Sequence, residues 1–180
     1  LAKQANRHFR EFLPSPLQTL LEDPAFLDNQ PVQNLLNHYA DISALRKGLP
    51  FWLSVCPSNG TTEDIIGFIL ATIGVSNTKK SEFLKIQDLT DIDVHKALLA
   101  SAAIPLAYEA QKINGTNYCD GGLGGFWNAQ GNTPITPLID HEKCTHVIVT
   151  HLEDGSFWNR YDFKQATILE IRPQGIAKKG

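Results

Sequence analysis

Four short apolar segments alternate with stretches of helical periodicity, and that alternation limits the chain to a layered α/β arrangement. The segments at 50–55, 82–86, 146–151 and 167–171 are rich in aromatic, aliphatic and β-branched residues. The first is framed by Gly48-Leu49-Pro50 and by Pro57-Ser58-Asn59-Gly60, so it reads as a buried strand. The last two also read as short buried strands. Between the strands, Ile65, Ile66, Ile69 and Ile73 predict a helix over 61–73. An Ala- and Leu-rich helix is predicted over 94–103, capped by Asp91 or Asp93 and stopped at Ile104-Pro105.

The first fifty residues read as helical. A polar helix over 1–13 stops at Pro14 and Pro16, and a second spans 16–22. Pro31 opens a third, with Val32, Leu35, Leu36 and Tyr39 at helical spacing. Asp41-Ile42-Ser43 starts a short turn or helix that ends at Gly48. Further along, 111–113 and 116–119 flank Asn114-Gly115, a strong hairpin signal. A glycine-rich loop runs over 120–133, and a helix begins at Pro134.

Composition narrows the class. The chain has 180 residues, of which 42% are hydrophobic and 19% charged, which excludes disordered and collagen-like classes. The longest apolar runs fall well short of the ~20 residues of a membrane-spanning helix. A formal net charge of −3 gives no reason to bind nucleic acid. Cys56, Cys119 and Cys144 form an odd count with no C-x-x-C pair, so neither a disulfide framework nor a zinc ribbon is indicated; one disulfide stays open. There is no methionine, and the chain begins Leu1-Ala2-Lys3, from which it is expected to be a piece of a longer protein. Arg7, Arg10 and Glu11 interrupt any signal-peptide core.

Among candidate sites, Asp120-Gly121-Gly122-Leu123-Gly124-Gly125 is the most informative, because it follows a strand end directly. A flexible turn with an exposed capping aspartate is the plainer reading of its composition. It is no nucleotide loop: Trp127 stands where G-x-G-x-x-G needs its last glycine. His141 and His146 are five apart rather than the four of a zincin helix, so with Cys144 they read as a solvent-facing turn before a strand. Gly74-Val75-Ser76-Asn77-Thr78 approaches G-x-S-x-G but ends in Thr, and a helix precedes Ser76 where a nucleophile elbow needs a strand. The 61–73 segment has acids and no Lys or Arg on its polar face, which suits a core helix better than an anionic membrane surface.

Taken together, three stretches resemble the patatin-like phospholipase family. Ala100-Ser101-Ala102-Ala103-Ile104-Pro105 is similar to its helix-ending segment, and Tyr118-Cys119-Asp120-Gly121-Gly122 to its D-G-G motif. Asn132-Thr133-Pro134, Pro137-Leu138-Ile139 and the strand from His146 follow in the expected order. The resemblance runs over 31–173 and makes the whole of 1–180 the C-terminal portion of one such domain.

The resemblance implies an α/β fold with a central, mostly parallel sheet flanked by helices, and a Ser–Asp dyad that hydrolyses acyl esters of lipids. Asp120 inherits the role of general base, with Gly121 and Gly122 as its supporting loop. Tyr118, Leu123, Phe126 and Trp127 are candidates for an apolar wall that would raise its proton affinity. The nucleophilic serine and the glycine-rich oxyanion loop lie upstream in the family and are not found in this chain, so the isolated chain is expected to be inactive. The implied partners are a phospholipid or lysophospholipid substrate, a membrane touched peripherally, and the missing N-terminal half of the domain. No cofactor and no metal are expected, and location is left open with a preference for the cytoplasm. Two other readings stand beside this one: a patatin-like binding or scaffold module that has lost its serine, and an unrelated α/β enzyme holding zinc at 141–146. The residues of 61–80 look long for a connection between two strands and suit a cover for the acyl site or a partner surface.

Overall fold

Pro31 lies in the first turn of helix α1 (Gln30–Tyr39), where its missing N–H has no intrahelical partner to lose. The structure, a computed structural model, describes residues 30–72, 75–103, 108–125, 130–152 and 158–173; the side chains at 61, 62, 68, 69 and 72 are not described. The helices expected over 1–13 and 16–22, and the stop at Ile104-Pro105, lie outside these residues. Helix α2 (Ile42–Lys47) is held at its start by Asp41, whose carboxylate accepts from the Ala44 N–H at 3.0 Å, and it ends at Gly48. Strand β1 (Trp52–Pro57) begins two residues later than the sequence suggests. Helix α3 (Thr61–Thr72) follows, with Asp64 in its first turn accepting from the Asn59 N–H and the Ser58 hydroxyl.

Strand β2 (Glu82–Lys85) runs into a 3-10 turn and then helix α4 (Asp91–Ser101). The cap of α4 is Thr90, not Asp91 or Asp93. Thr90 has the extended backbone a cap requires, and its hydroxyl oxygen accepts from the Asp93 N–H. Both aspartates sit inside the first turn, where their charge suits the helix dipole. Asp93 also accepts a hydrogen bond from the Thr90 hydroxyl at 2.7 Å.

Strands β3 (Gln111–Ile113) and β4 (Thr116–Asp120) form the expected hairpin. Asn114 and Gly115 both have positive φ, 48° and 85°, as a type I′ turn needs. Helix α5 (Thr136–Asp140), strand β5 (His146–Thr150) and strand β6 (Thr167–Ile171) complete the described elements.

The four-stranded sheet has the order β2-β1-β4-β3 and is antiparallel throughout, which corrects the expectation of a mostly parallel central sheet. The reason is the path of the chain after β1. Helix α3 and the coil beyond it return to the end of β1 that they left, so β2 starts with Glu82 beside Val55 and runs back to place Lys85 beside Trp52. The only parallel pairing among the described residues is the separate sheet β5-β6. Its strands are also less buried than expected. Val147 and Val149 point inward, whereas Ile148, Leu169 and Ile171 are exposed.

Two apolar clusters sit under these layers. Leu53 and Val55 of β1 meet Ile86, Val94, Ala97 and Ala100 between the large sheet and α4. Ile135, Ile139, Val147, Val149 and Phe163 form the second, between α5 and the small sheet. Trp52 joins the two regions: its indole N–H donates to Glu142 at 3.0 Å, and its ring stacks on His141 with centroids 5.0 Å apart. Lys85 reaches the same carboxylate oxygen at 2.7 Å, and together these donors hold the Glu142 carboxyl below the usual range. No helix among the described residues is long and apolar enough to cross a membrane.

The core assignment is open to test. Ile86 is fully buried, so Ile86→Ala is expected to cost about 2–5 kcal/mol in urea unfolding. Ile92 is 65% exposed, and Ile92→Ala should stay within about 0.5 kcal/mol of the parent. Equal losses at the two positions would contradict the packing described.

Candidate functional site

Asp120 is the last residue of β4, opposite Val55 of β1, and its backbone is fixed from two directions. Its N–H donates to the carbonyl of Ala103 at 3.0 Å, which ties the strand end to the residues just past α4. Its carboxylate accepts from the Gly122 N–H at 2.7 Å, so the side chain folds over the turn that follows. The side chain is half-buried. Burial pushes its carboxyl up from the ordinary aspartate value, and the Gly122 hydrogen bond opposes this without cancelling it.

The turn after Asp120 is built by close backbone approach. Gly121 is buried directly against Ser54 of β1. A β-carbon on Gly121 would stand 2.5 Å from the Ser54 carbonyl carbon and 2.6 Å from its β-carbon, a distance no side chain tolerates. A β-carbon on Gly122 would meet Asp120 Oδ1 at 3.1 Å and Asn132 Oδ1 at 3.3 Å, which places Asn132 beside the carboxylate. Ser81, just before β2, donates to the Gly121 carbonyl at 2.7 Å and holds the turn from the other side.

These contacts bring together three stretches that are distant in sequence: Ala100 to Ala103, Tyr118 to Gly122, and Asn132 to Pro134. Of the wall expected around Asp120, Tyr118 packs against the main core and donates its hydroxyl to Glu82 at 2.8 Å. Leu123 lines a cavity beside Cys119 instead. Phe126 and Trp127 lie outside the described residues. Asn132 stood out in the sequence only as part of the ordered stretch Asn132-Thr133-Pro134, and Ser54 and Ser81 did not stand out as site residues. A serine interrupting the apolar run Trp52-Leu53-Ser54-Val55 was the one available signal, since a polar residue inside a buried strand needs a reason.

Other candidates stand apart from this turn. Ser76 is exposed, four residues beyond the end of α3. His141 stacks on Trp52, while the hydroxyl of Thr145 lies 3.0 Å from Nδ1 of His146. Among the described residues, no group of three or more His, Cys, Asp or Glu is arranged to hold a metal ion. His151 pairs with Glu170 at 3.2 Å, in a cluster completed by Trp158, Arg160 and Arg172. Burial pushes the Glu170 carboxyl up, but Arg172, Trp158 and His151 outweigh it and hold the carboxyl below its usual range.

A half-buried carboxylate with raised proton affinity, set on a strand end and locked by the following turn, can accept a proton from a hydroxyl brought against it. The geometry itself is testable. Gly121→Ala is expected to destabilise the fold by about 1–3 kcal/mol or more, through overpacking against Ser54. Ser54→Gly should restore only part of this, because the Ser54 carbonyl carbon stays in the way. Ser54→Ala alone should be neutral or stabilising by about 1 kcal/mol, since its buried hydroxyl has no hydrogen-bond partner among the described residues. Thermal and urea melts of the three variants read this out. A Gly121→Ala chain as stable as the parent would contradict the close approach.

A sequence profile described as patatin-like phospholipase matches residues 4–139. No curated protein and no solved structure matches the chain. The profile covers well over half of the sequence and includes the convergence of Ala103, Asp120, Gly121, Gly122 and Asn132. The chain belongs to the patatin-like phospholipase family.

Proposed function

We propose that this chain supplies the general base of a lipid acyl hydrolase that works by a Ser–Asp dyad, with Asp120 as the base. The observation that carries the reading is the state of that carboxyl. It is half-buried, its proton affinity is raised by burial, and its position is fixed by Gly122 and Ala103. A serine hydroxyl is a poor nucleophile until a neighbour takes its proton. A carboxylate is a better base for this when burial lifts it towards the working pH.

The serine and the oxyanion donors belong to a segment preceding Leu1, so the chain alone is inactive and the complete protein is the enzyme. Its substrate class is phospholipid or lysophospholipid, met at a membrane surface from which one acyl ester is cleaved. In the reaction the serine oxygen attacks the ester carbonyl while Asp120 takes its proton. The proton then passes to the leaving alcohol oxygen as the acyl–enzyme forms. Water then attacks the acyl carbonyl while Asp120 takes its proton, the bond to the serine oxygen breaks, that oxygen receives the proton, and the fatty acid leaves.

Asp120→Asn, made in the complete protein, is expected to lower turnover of a lysophospholipid or a chromogenic acyl ester by about 10²–10⁴-fold. Its melting transition should stay close to that of the parent. A folded Asp120→Asn enzyme that turns over at the parent rate would remove the base from Asp120. Failure of the complete parent protein to cleave any acyl ester would point instead to a patatin-like binding module.

A further inference from the structure

Cys56 and Cys119 face each other directly across β1 and β4, and both line one cavity. Both are free thiols, buried at 5% and 3% exposure, and the third cysteine, Cys144, is elsewhere. The Cys119 thiol donates to the Cys56 carbonyl at 3.4 Å. In the same register the Ser58 N–H donates to the Asn117 carbonyl, so alternation places Cys56 and Cys119 at a hydrogen-bonded pair. Their α-carbons are then about 5.5 Å apart, inside the range a disulfide bridges. Their β-carbons, at about 4.5–5.5 Å, must close by about 1–2 Å to reach the ~3.8 Å typical of a disulfide. Such a bond carries strain and is readily reduced, which suits a reversible site rather than a permanent staple.

The cavity reaching the pair has a volume of about 130 Å³, and its lining includes Asn59, Glu63, Asp64, Lys79 and Leu123. A water occupies about 30 Å³ of liquid, so there is room for a small polar oxidant. Within that lining Lys79 donates to Asn59 at 2.6 Å. Contact with the Cys119 thiol holds the Cys56 thiol below its ordinary value, while that same contact and burial raise Cys119. The Cys119 proton is engaged at 3.4 Å, whereas the Cys56 thiol reaches acceptors only at 3.9 Å, so Cys56 is the sulfur assigned the first attack.

We infer that Cys56 and Cys119 form a redox-active dithiol that a small peroxide closes to a reversible disulfide, one residue from Asp120. The Cys56 thiolate attacks one peroxide oxygen, the O–O bond breaks, and the departing oxygen leaves as water or an alcohol after taking a proton. This leaves a sulfenic acid on Cys56. The Cys119 sulfur then attacks that sulfur, the S–O bond breaks, and the hydroxyl leaves as water with the Cys119 proton. The two sulfurs give up the two electrons that reduce the peroxide. The inference does not depend on the chain taking part in acyl hydrolysis.

The test uses the full chain and hydrogen peroxide, followed by alkylation and peptide mapping. The expected result is loss of two of the three thiols, a linked peptide pair containing Cys56 and Cys119, an alkylated Cys144, and full recovery with dithiothreitol. Because Cys56→Ser or Cys119→Ser could disturb a buried strand pair, Cys144→Ser serves as the second chain and should form the same link at the same rate. A link involving Cys144, over-oxidation of Cys56 without a link, or a pair left reduced under peroxide that oxidises free cysteine would each overturn the inference.

Discussion

The contact between Gly121 and the backbone of Ser54 is the constraint on which the rest of the site depends. The turn after β4 cannot approach β1 this closely with a side chain between them, so glycine is required by space rather than by an unusual φ. Once β4 and the turn after it are seated on β1, the Asp120 N–H meets the Ala103 carbonyl and the Asp120 carboxylate meets the Gly122 N–H. Ser81 closes the other side of the same turn through the Gly121 carbonyl. Ser54, Ser81 and Ala103 thereby seat the strand end and its turn, while the carboxylate itself is held by the Gly122 N–H.

Stability around this turn comes from the main core. Val55, directly opposite Asp120, is fully buried with Ile86 and Val94, so the strand end that carries the carboxylate is backed by packed apolar side chains. The second cluster, under β5 and β6, is connected through Trp52, His141, Glu142 and Lys85. That junction mixes ring stacking with a partly shielded ion pair. An ion pair of this exposure contributes little alone, and the indole hydrogen bond and stacking supply its geometry.

Much of the local structure was legible in the sequence, because it depends on short-range chemistry. Asn114-Gly115 announced the hairpin, Pro31 and Asp41 announced the starts of α1 and α2, and the isoleucine spacing announced α3. The direction of the strands was not legible. The parallel sheet was what the family resemblance implied, and nothing in the residue types between β1 and β2 states that the chain comes back to the end of β1 it departed from. The cap of α4 was expected at Asp91 or Asp93, one or three residues late, because Thr, Asp and Asp all have capping side chains, and the extended backbone at Thr90 marks it as the cap. At the site, Asp120, Gly121 and Gly122 stood out as a motif, whereas Ser81 and Asn132 act through contacts that sequence distance conceals. The antiparallel partnership of Cys56 with Cys119 was hidden for the same reason.

The account holds that the fold raises the proton affinity of Asp120 and so prepares it to act as a base. The most direct measurement is an NMR titration of the Asp120 carboxyl carbon in the folded chain, with Asp120→Asn used to assign the resonance. The account predicts a midpoint above the ~3.9 of an unperturbed aspartate, because burial disfavours the charged form more than the Gly122 hydrogen bond favours it. A midpoint at or below that value would mean that the carboxylate is a stabilised cap of the glycine turn, and would contradict its preparation as a base.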